Sequence, residues 1–499
     1  MRKFIILWVL MVLCGIGFGV EINSLASLKT QWAAGGTHTI VANTDGGSGG
    51  VYTLDADITC DGAALTLVPT ASVVVDGAGS YETLIKNTAV TLGDPTGTFT
   101  FTFEDGQVNG IQVEAATADT AIILHYVYLN DNANGNGLEC RDGAGYTLEV
   151  NAYNCQFNNN DNDGASLSSS TALGTTAGKS YLDLCDCVAN DNGSDGNTHN
   201  GLTAHKSWQV IRAFGCTFND NYGPALAPTG MAQCVATKCS VTSSLGSGGT
   251  FEGTAVLDDC TFMIGGSREG LILGGATQTI EPDDLGYDDL NEIVIKNCRI
   301  INTNGTSNLK AGISGPAFRG SLVMLNTVVA EWVGASQYSV QIGNVDTDSI
   351  AKSITMQNCT IANGNRVATM QAFYLKLNYN IFSGMAGNVG IRGADKTFVS
   401  RSFDVTGNYD YSGSGYNVFW DFASSQYFYP NNTNSPRLTD KEIDPQLDSD
   451  YIAQNPEAKM HQDSEGNWVS AGYLGSVPES TTTEISIMGP TVINVLGPN

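Results

Sequence analysis

An all-β solenoid, in which short strands are wound into stacked coils, is the fold this sequence predicts. Three observations carry it. The stretches AYNCQF, LCDCVA, AFGCTF, ATKCSV, LDDCTF, IKNCRI, MLNTVV and MQNCTI share one arrangement, centred on Cys155, Cys187, Cys216, Cys239, Cys260, Cys298, Thr327 and Cys359. Two residues on, Phe157, Ala189, Phe218, Val241, Phe262, Ile300, Val329 and Ile361 keep the same-face offset of a strand. Three residues back stands a further apolar side chain, from Ala152 to Met356, at an odd offset that an unbroken strand cannot bring to the same face. The chain must bend in between.

The residue before each central position supplies the bend: Asn154, Asp186, Gly215, Lys238, Asp259, Asn297, Asn326 and Asn358. Asn, Asp and Gly tolerate left-handed backbone angles, and stacked Asn side chains can bond along a ladder. Central positions recur after as few as 21 residues (Cys239 to Cys260) and as many as 38 (Cys260 to Cys298), which describes one coil plus a loop of variable length. With these motifs on the page, the chain between about residues 22 and 385 resembles the pectate-lyase-like superfamily. The resemblance implies a single-stranded right-handed parallel β-helix with a helical N-terminal cap and an irregular C-terminal cap. The same fold hosts polysaccharide lyases, glycoside hydrolases and scaffolds without catalysis, so function has to be argued from a site.

Taken in order, residues 1–19 read as a signal peptide: Arg2 and Lys3, an apolar run, then small residues at Gly17 and Gly19. The expectation is export, to the cell surface, the periplasm or beyond, with no membrane insertion after cleavage. Residues 20–48 form the N-terminal cap, where Ile22, Leu25, Leu28 and Trp32 fall on one helical face. Residues 49–385 are the coils, opening with VYTLDADITC and ASVVVDGAGS. An aromatic, turn-rich C-terminal cap occupies 386–476, and 477–499 is a tail whose Thr-rich start reads as a linker. Of the twelve cysteines, Cys14 belongs to the leader and seven stand at one repeat position. They read as small buried hydrophobes rather than a disulfide framework.

Composition narrows the partners. The net charge is -27 and the pI about 4.3, with 15% charged residues. Nucleic acid is excluded by Coulomb repulsion, and a polyanionic sugar needs a local cation to be held.

Candidate chemistry gathers in NDNGSDGNTHNGLTAHKS, Asn190 to Ser207. Asn132, Asn160, Asn192 and Asn221 fall at one coil position and read as an internal ladder, with Asp131, Asn159, Asp191 and Asp220 just before them. The remainder of this coil is an extra loop carrying Asp195 and His199. Matching Gly137, Gly164, Gly201 and Gly223 as strand starts puts Glu139, Arg141, Ser166, Ser168, Thr203, His205, Ala225 and Ala227 on the outer face, an open floor of small residues with ionisable groups above it. For β-elimination of a uronate polymer, Arg141 neutralises the carboxylate and His205 or Lys206 removes the proton, with Asp195 on the wall. For hydrolysis, Glu139, Asp191 and Asp195 are the candidate carboxylates. Glu139, Ser168, Asp191, His199 and Thr203 are the expected substrate contacts. The alternative is a non-catalytic, adhesin-like or glycan-binding β-helix. In either case a polysaccharide or cell-surface glycan is the expected partner. Separately, IEPDDLGYDDLNE presents Asp283, Asp284, Asp288 and Asp289, which read either as a solvated acidic loop or as a calcium site, since calcium takes clustered oxygen ligands.

Overall fold

The computed structural model describes residues 19–475 apart from 46–49, 134, 144, 170–178, 195–198, 275–291, 306–309, 334–337, 344–350, 365, 371, 386–390, 393–416, 423–427, 430–440 and 463–467. Within them the chain is a right-handed parallel β-helix with three faces. Sheet 1 has fourteen strands, from Glu21–Ile22 to Ala372–Asn378. Sheet 2 is a four-stranded piece, Val51–Thr53 to Val127–Asn130, followed by a nine-stranded piece, Thr217–Asn219 to Lys441–Glu442. Single bridges at Gln156 and Val188 join the two. Sheet 3 has fourteen strands, from Ile58–Asp61 to Phe428–Tyr429. Each coil passes from sheet 3 to sheet 1 to sheet 2, and parallel strands joined by such crossovers wind right-handed.

The corner between sheets 1 and 2 is the bend the sequence announces. Asn154, Asp186, Lys238, Asp259, Asn297, Asn326 and Asn358 all have positive φ, as does Gly215. Tyr126 and Tyr379 extend the corner at either end, so the position tolerates a ring when the turn demands it. The carbonyl before each bend accepts the backbone N–H of the preceding coil, Asn154 N to Cys185 and Lys238 N to Asp258 both at 2.9 Å, and the next side chain brings it a second donor. Sγ of Cys187 donates to the carbonyls of Cys185 and Ala152, Sγ of Cys260 to Asp258 and Ala236, and Sγ of Cys298 to Lys296 and Leu257. Thr327 does the same with its hydroxyl, to Leu325 at 2.9 Å and Ile295 at 3.3 Å. Thus the column is small, apolar and donor-bearing at once, and all eight of its members are buried in the solenoid interior.

The cap departs from the expected helical face. Ile22 lies in the strand Glu21–Ile22, paired with Ile40, and the helix is Leu25–Ala34. Ser24 explains the boundary: its hydroxyl accepts from Ser27 N at 3.2 Å while Ser27 Oγ accepts from Ser24 N at 3.3 Å, a reciprocal cap that starts the helix there. Leu28 and Trp32 then close the first coils, with Trp32 Nε1 donating to the Leu84 carbonyl. At the other end the stacking runs past residue 385, since Val418–Phe422 pairs in parallel with Ile381–Met385 and Lys441–Glu442 pairs with it in turn. The segments between those strands are long enough to hide the period. The short helix Pro456–Lys459 and the antiparallel pair Met460–Gln462 and Trp468–Ser470 follow. Among the described residues no helix is long and apolar enough to cross a membrane, and residues 1–18 and 476–499 lie outside them.

The donor role of the cysteine column is testable with two isosteres. Cys260→Thr keeps a donor and Cys260→Val removes it, so the Asp258 and Ala236 carbonyls each lose the bond from this side chain. The valine variant should be less stable than the threonine variant by about 1 kcal/mol in denaturant unfolding. Equal midpoints would show that the column is chosen for volume alone.

Candidate functional site

The outer face of sheet 3 over six coils brings the candidate residues together. Register is fixed by strand pairing: Gln112, Glu139, Ser166, Thr203 and Ala227 form one outward column. Lys86, Glu114, Arg141 and Ser168 form the next, which continues through His205 and Thr229 at the ends of their strands. The fourth match made from sequence was two residues out: Gly201 stands beside Ala225, not Gly223, because Ala225 lies four residues past Asn221 just as Gly164 lies four past Asn160. Ala225 therefore belongs to the glycine row, and Thr229 takes the outward place.

The Asn ladder itself is continuous. Asn132 Nδ2 donates to Asn160 Oδ1 at 2.6 Å, Asn160 to Asn192 at 3.0 Å and Asn192 to Asn221 at 2.8 Å, all four side chains buried. Asp191 sits in the left-handed corner just before it, with Asp131, Asn159 and Asp220 in the same conformation in neighbouring coils. This is the opposite end of the strands from Arg141 and His205.

The expected open floor is closed. Glu139, Ser166, Thr203 and Ala227 are buried even though they point outward. The reason is visible in the bonding, because side chains of the second column lean across the first. Arg141 Nε donates to Glu139 Oε1 at 3.3 Å, Ser168 Oγ donates to the same oxygen, and Asn136 Nδ2 donates to Oε2. His205 Nε2 lies 3.3 Å from Thr203 Oγ1, and its Nδ1 is 2.8 Å from Thr229 Oγ1. Arg141 and His205, roughly 10 Å apart by two coil steps, are each engaged locally and do not converge. Arg141, expected to neutralise a substrate carboxylate, already neutralises Glu139. His205 remains an exposed imidazole, and crowding by its neighbours and Lys206 lowers its pKa against the opposing pull of Glu139 and Glu252.

Side chains buried beneath it hold the His205 turn. The fully buried Gln209 accepts from the backbone N–H of His205 at 2.7 Å and of Lys206 at 3.0 Å, and donates to Asp142 Oδ2 and the Ser168 carbonyl, each at 3.1 Å. Asp142 Oδ2 also accepts from Ser180 Oγ and Trp208 Nε1, both at 2.8 Å, tying three coils at one atom.

A further group escaped the sequence reading. Asn109, Asn136, Asp163 and Asn200 make a second ladder at the entry to sheet 3, each backbone N–H from Asn136 onward bonding to the side-chain oxygen of the coil before. Asp163 is the acid among amides. Burial pushes its carboxyl up to about 6, against two bonds from Asn200, with nearby Glu139 adding to the rise. His199 Nδ1 lies 3.9 Å from Asp163 Oδ1, and burial pushes this imidazole below its ordinary value. Asn136 stands between the two residues, donating to the Glu139 carboxylate and accepting from the Asp163 backbone N–H. The available signal was the residue before each strand-entry glycine, which reads Asn, Asn, Asp, Asn. Asp195, and Asp283, Asp284, Asp288 and Asp289 with the calcium expectation attached to them, lie outside the described residues.

No family model matches the chain, and no curated protein does either. Among solved structures, a protein of Geobacillus virus E2, ORF18, aligns at 12% identity with a TM-score of 0.34, covering 70% of this chain. This chain spans 60% of the length of that viral protein. An endo-xylogalacturonan hydrolase from Aspergillus tubingensis aligns at 11% identity with a TM-score of 0.25, over 83% of this chain and 99% of that one. Likenesses this slight carry no argument about chemistry.

Asp163 gives a pH prediction with a definite sign. Its folded value of about 6 exceeds the ordinary carboxyl value near 3.9, so between the two the folded state keeps a proton that the unfolded chain has lost. Stability should fall as pH rises through that window and stay lower above it. Asp163→Asn, which places an amide where three neighbouring coils carry one, should raise the melting temperature at pH 8, by the equivalent of ~2–3 kcal/mol, and leave it unchanged at pH 4. An equal shift at both pH values would remove the carboxyl group from the explanation.

Proposed function

We propose that the outer face of sheet 3 binds a polysaccharide and hydrolyses it, with Asp163 as proton donor and Glu139 as the second carboxylate. The observation that carries this reading is the pair itself. Two nearly buried carboxyl groups lie close enough for Glu139 to act on Asp163 through space, with Asn136 bonded to the Glu139 carboxylate and to the Asp163 backbone N–H; Glu139 is ion-paired to Arg141, and Asp163 has its pKa raised to about 6, chiefly by burial. Glycoside hydrolysis needs one carboxyl that still holds a proton near neutrality and a second that is ionised to activate water or attack the sugar. His199 beside Asp163 and His205 on the rim supply contacts for sugar hydroxyls. The signal-like N-terminal segment would bring such a face to glycan outside the cytoplasm.

Hydrolysis displaces the lyase scheme because the arginine that a uronate carboxylate would require is already paired. The scaffold reading has its own support: His205 and Arg141 are both held by protein partners rather than converging on a substrate position.

The deciding experiment presents the purified protein with neutral and uronate polysaccharides, following reducing ends and the absorbance of unsaturated products. Reducing ends should appear without the unsaturated product. Asp163→Asn and Glu139→Gln should each lower the rate by about 10²–10⁴-fold, with the first variant gaining thermal stability and both retaining glycan binding. Binding with no release of reducing ends would establish the scaffold. Unsaturated product that disappears in His205→Ala would restore the lyase.

A further inference from the structure

A different face of the coil, the outside of sheet 1, carries a slot between two aromatic rings. Strand pairing fixes one outward column there: His125, Tyr153, Cys185, Phe214 and Thr237. His125 stacks on Tyr153 with ring centroids 5.1 Å apart and planes 17° from parallel, so the Tyr153 ring stands across the helix axis with one face taken. Phe214 has a cover of its own, because the Lys238 ammonium, from the next coil, lies 5.8 Å from its ring centroid. The two faces left over look toward each other across Cys185. That residue is small and half-buried, the one cysteine among the described residues that is not fully buried.

Tyr153 and Phe214 are two coil steps apart, roughly 9.6 Å at ~4.8 Å each. Carbon atoms in contact sit ~3.5–4.0 Å apart, so a flat ring between the walls would leave about 2 Å unfilled, which a puckered ring takes up. The surroundings of the slot are polar. In the neighbouring outward column Arg212 donates to Asp183 from Nε and Nη2, both at 2.6 Å. At the corner the Asp186 carboxylate accepts from Cys185 Sγ at 3.5 Å and stands where a side chain on Gly215 would go. A saturated six-membered ring with C–H faces and hydroxyls around its edge meets both demands, apolar above and below, hydrogen-bonding at the rim. We infer that this slot is a second carbohydrate site, holding one pyranose of a neutral glycan whose ring substituents are all equatorial, as in a β-1,4-glucan. An axial hydroxyl would press a polar group onto an aromatic face, and a uronate carboxylate would be repelled by Asp186 and by a chain whose net charge is -27. The inference stands apart from the carboxyl pair on sheet 3, since the slot holds a sugar whether or not that face cleaves one.

Cys185 gives a readout confined to the slot. Burial and Asp186 push its thiol up to about 11, so its alkylation by iodoacetamide at pH 9 is slow enough to follow by mass spectrometry of the Cys185 peptide. In the intact protein, cellohexaose should slow that alkylation by about tenfold once its concentration exceeds the Kd by the same factor. Hexamers of β-1,4-mannose and of galacturonate, which carry axial hydroxyls, should slow it far less. Tyr153→Leu and Phe214→Leu, which keep an apolar side chain but remove the ring, should each lose most of the protection at an unchanged melting temperature, while Tyr153→Phe keeps it. An alkylation rate that cellohexaose leaves unchanged, or that galacturonate slows equally, would overturn the inference. Protection that survives both leucine variants would overturn it too. Because the thiol reports only on sheet 1, the result is independent of whether reducing ends appear in the hydrolysis panel.

Discussion

Everything in this solenoid depends on one corner. A coil of short strands closes only if the backbone turns sharply between sheets 1 and 2, and the turn is made by a single left-handed residue in coil after coil. A non-glycine side chain in that conformation is costly in isolation, and the carbonyl just before it keeps its bond to the preceding coil, as Lys238 N–H to the Asp258 carbonyl at 2.9 Å shows. The cysteine column adds a side-chain donor at that carbonyl: Cys187 and Cys298 each reach the carbonyl two residues back and one in the neighbouring coil, and Cys155 and Cys216 reach the one two residues back. Thr327 shows that the donor, not the sulfur, is what the position requires.

The two amide ladders extend the same logic to the corner between sheets 2 and 3. Asparagine is suited to a stacked turn because its oxygen accepts from the coil on one side while its NH₂ donates to the other. Asn160 illustrates the full set: its N–H and Nδ2 both donate to Asn192, Nδ2 also meets the Leu129 carbonyl, and its oxygen accepts twice from Asn132. A ladder so satisfied fixes register along the axis, and register decides which outward side chains meet above sheet 3. The juxtaposition of Glu139, Arg141 and Ser168 is thus a consequence of backbone stacking two residues away.

What repeats was legible in the sequence, because repetition turns a weak local preference into a column. The bend, the buried thiols and the first Asn ladder were all readable from spacing. What happens once per molecule was not. Gly223 resembles the strand-entry glycines but lies two residues early, and counting from Asn221 rather than matching glycines would have found Ala225. Parity correctly assigned Thr203 and Glu139 to the outer face but said nothing of what would lean over them, so an outward side chain was read as an exposed one. Asp163 escaped for the same reason: alone, it is one acid in a polar turn, and it becomes conspicuous only when Asn136 and Asn200 are seen bonded to it on either side.

That acid is where the two levels of the structure conflict. The demand on the side chain at position 163 is for an acceptor oxygen, which the Asn200 backbone N–H meets at 2.7 Å and its side-chain Nδ2 at 3.0 Å. An amide meets it without desolvating a charge, as Asn136 does in the coil before. A carboxyl group there keeps the acceptor but must either ionise in a buried place or hold a proton up to about pH 6. Packing gains nothing from the exchange, and the raised pKa predicts a loss of stability above that pH. A proton held near neutrality beside a second, ion-paired carboxylate is, however, what acid catalysis at a glycosidic oxygen requires. The ladder thus supplies the rigidity, and its one substitution of acid for amide supplies a group that the scaffold alone has no use for.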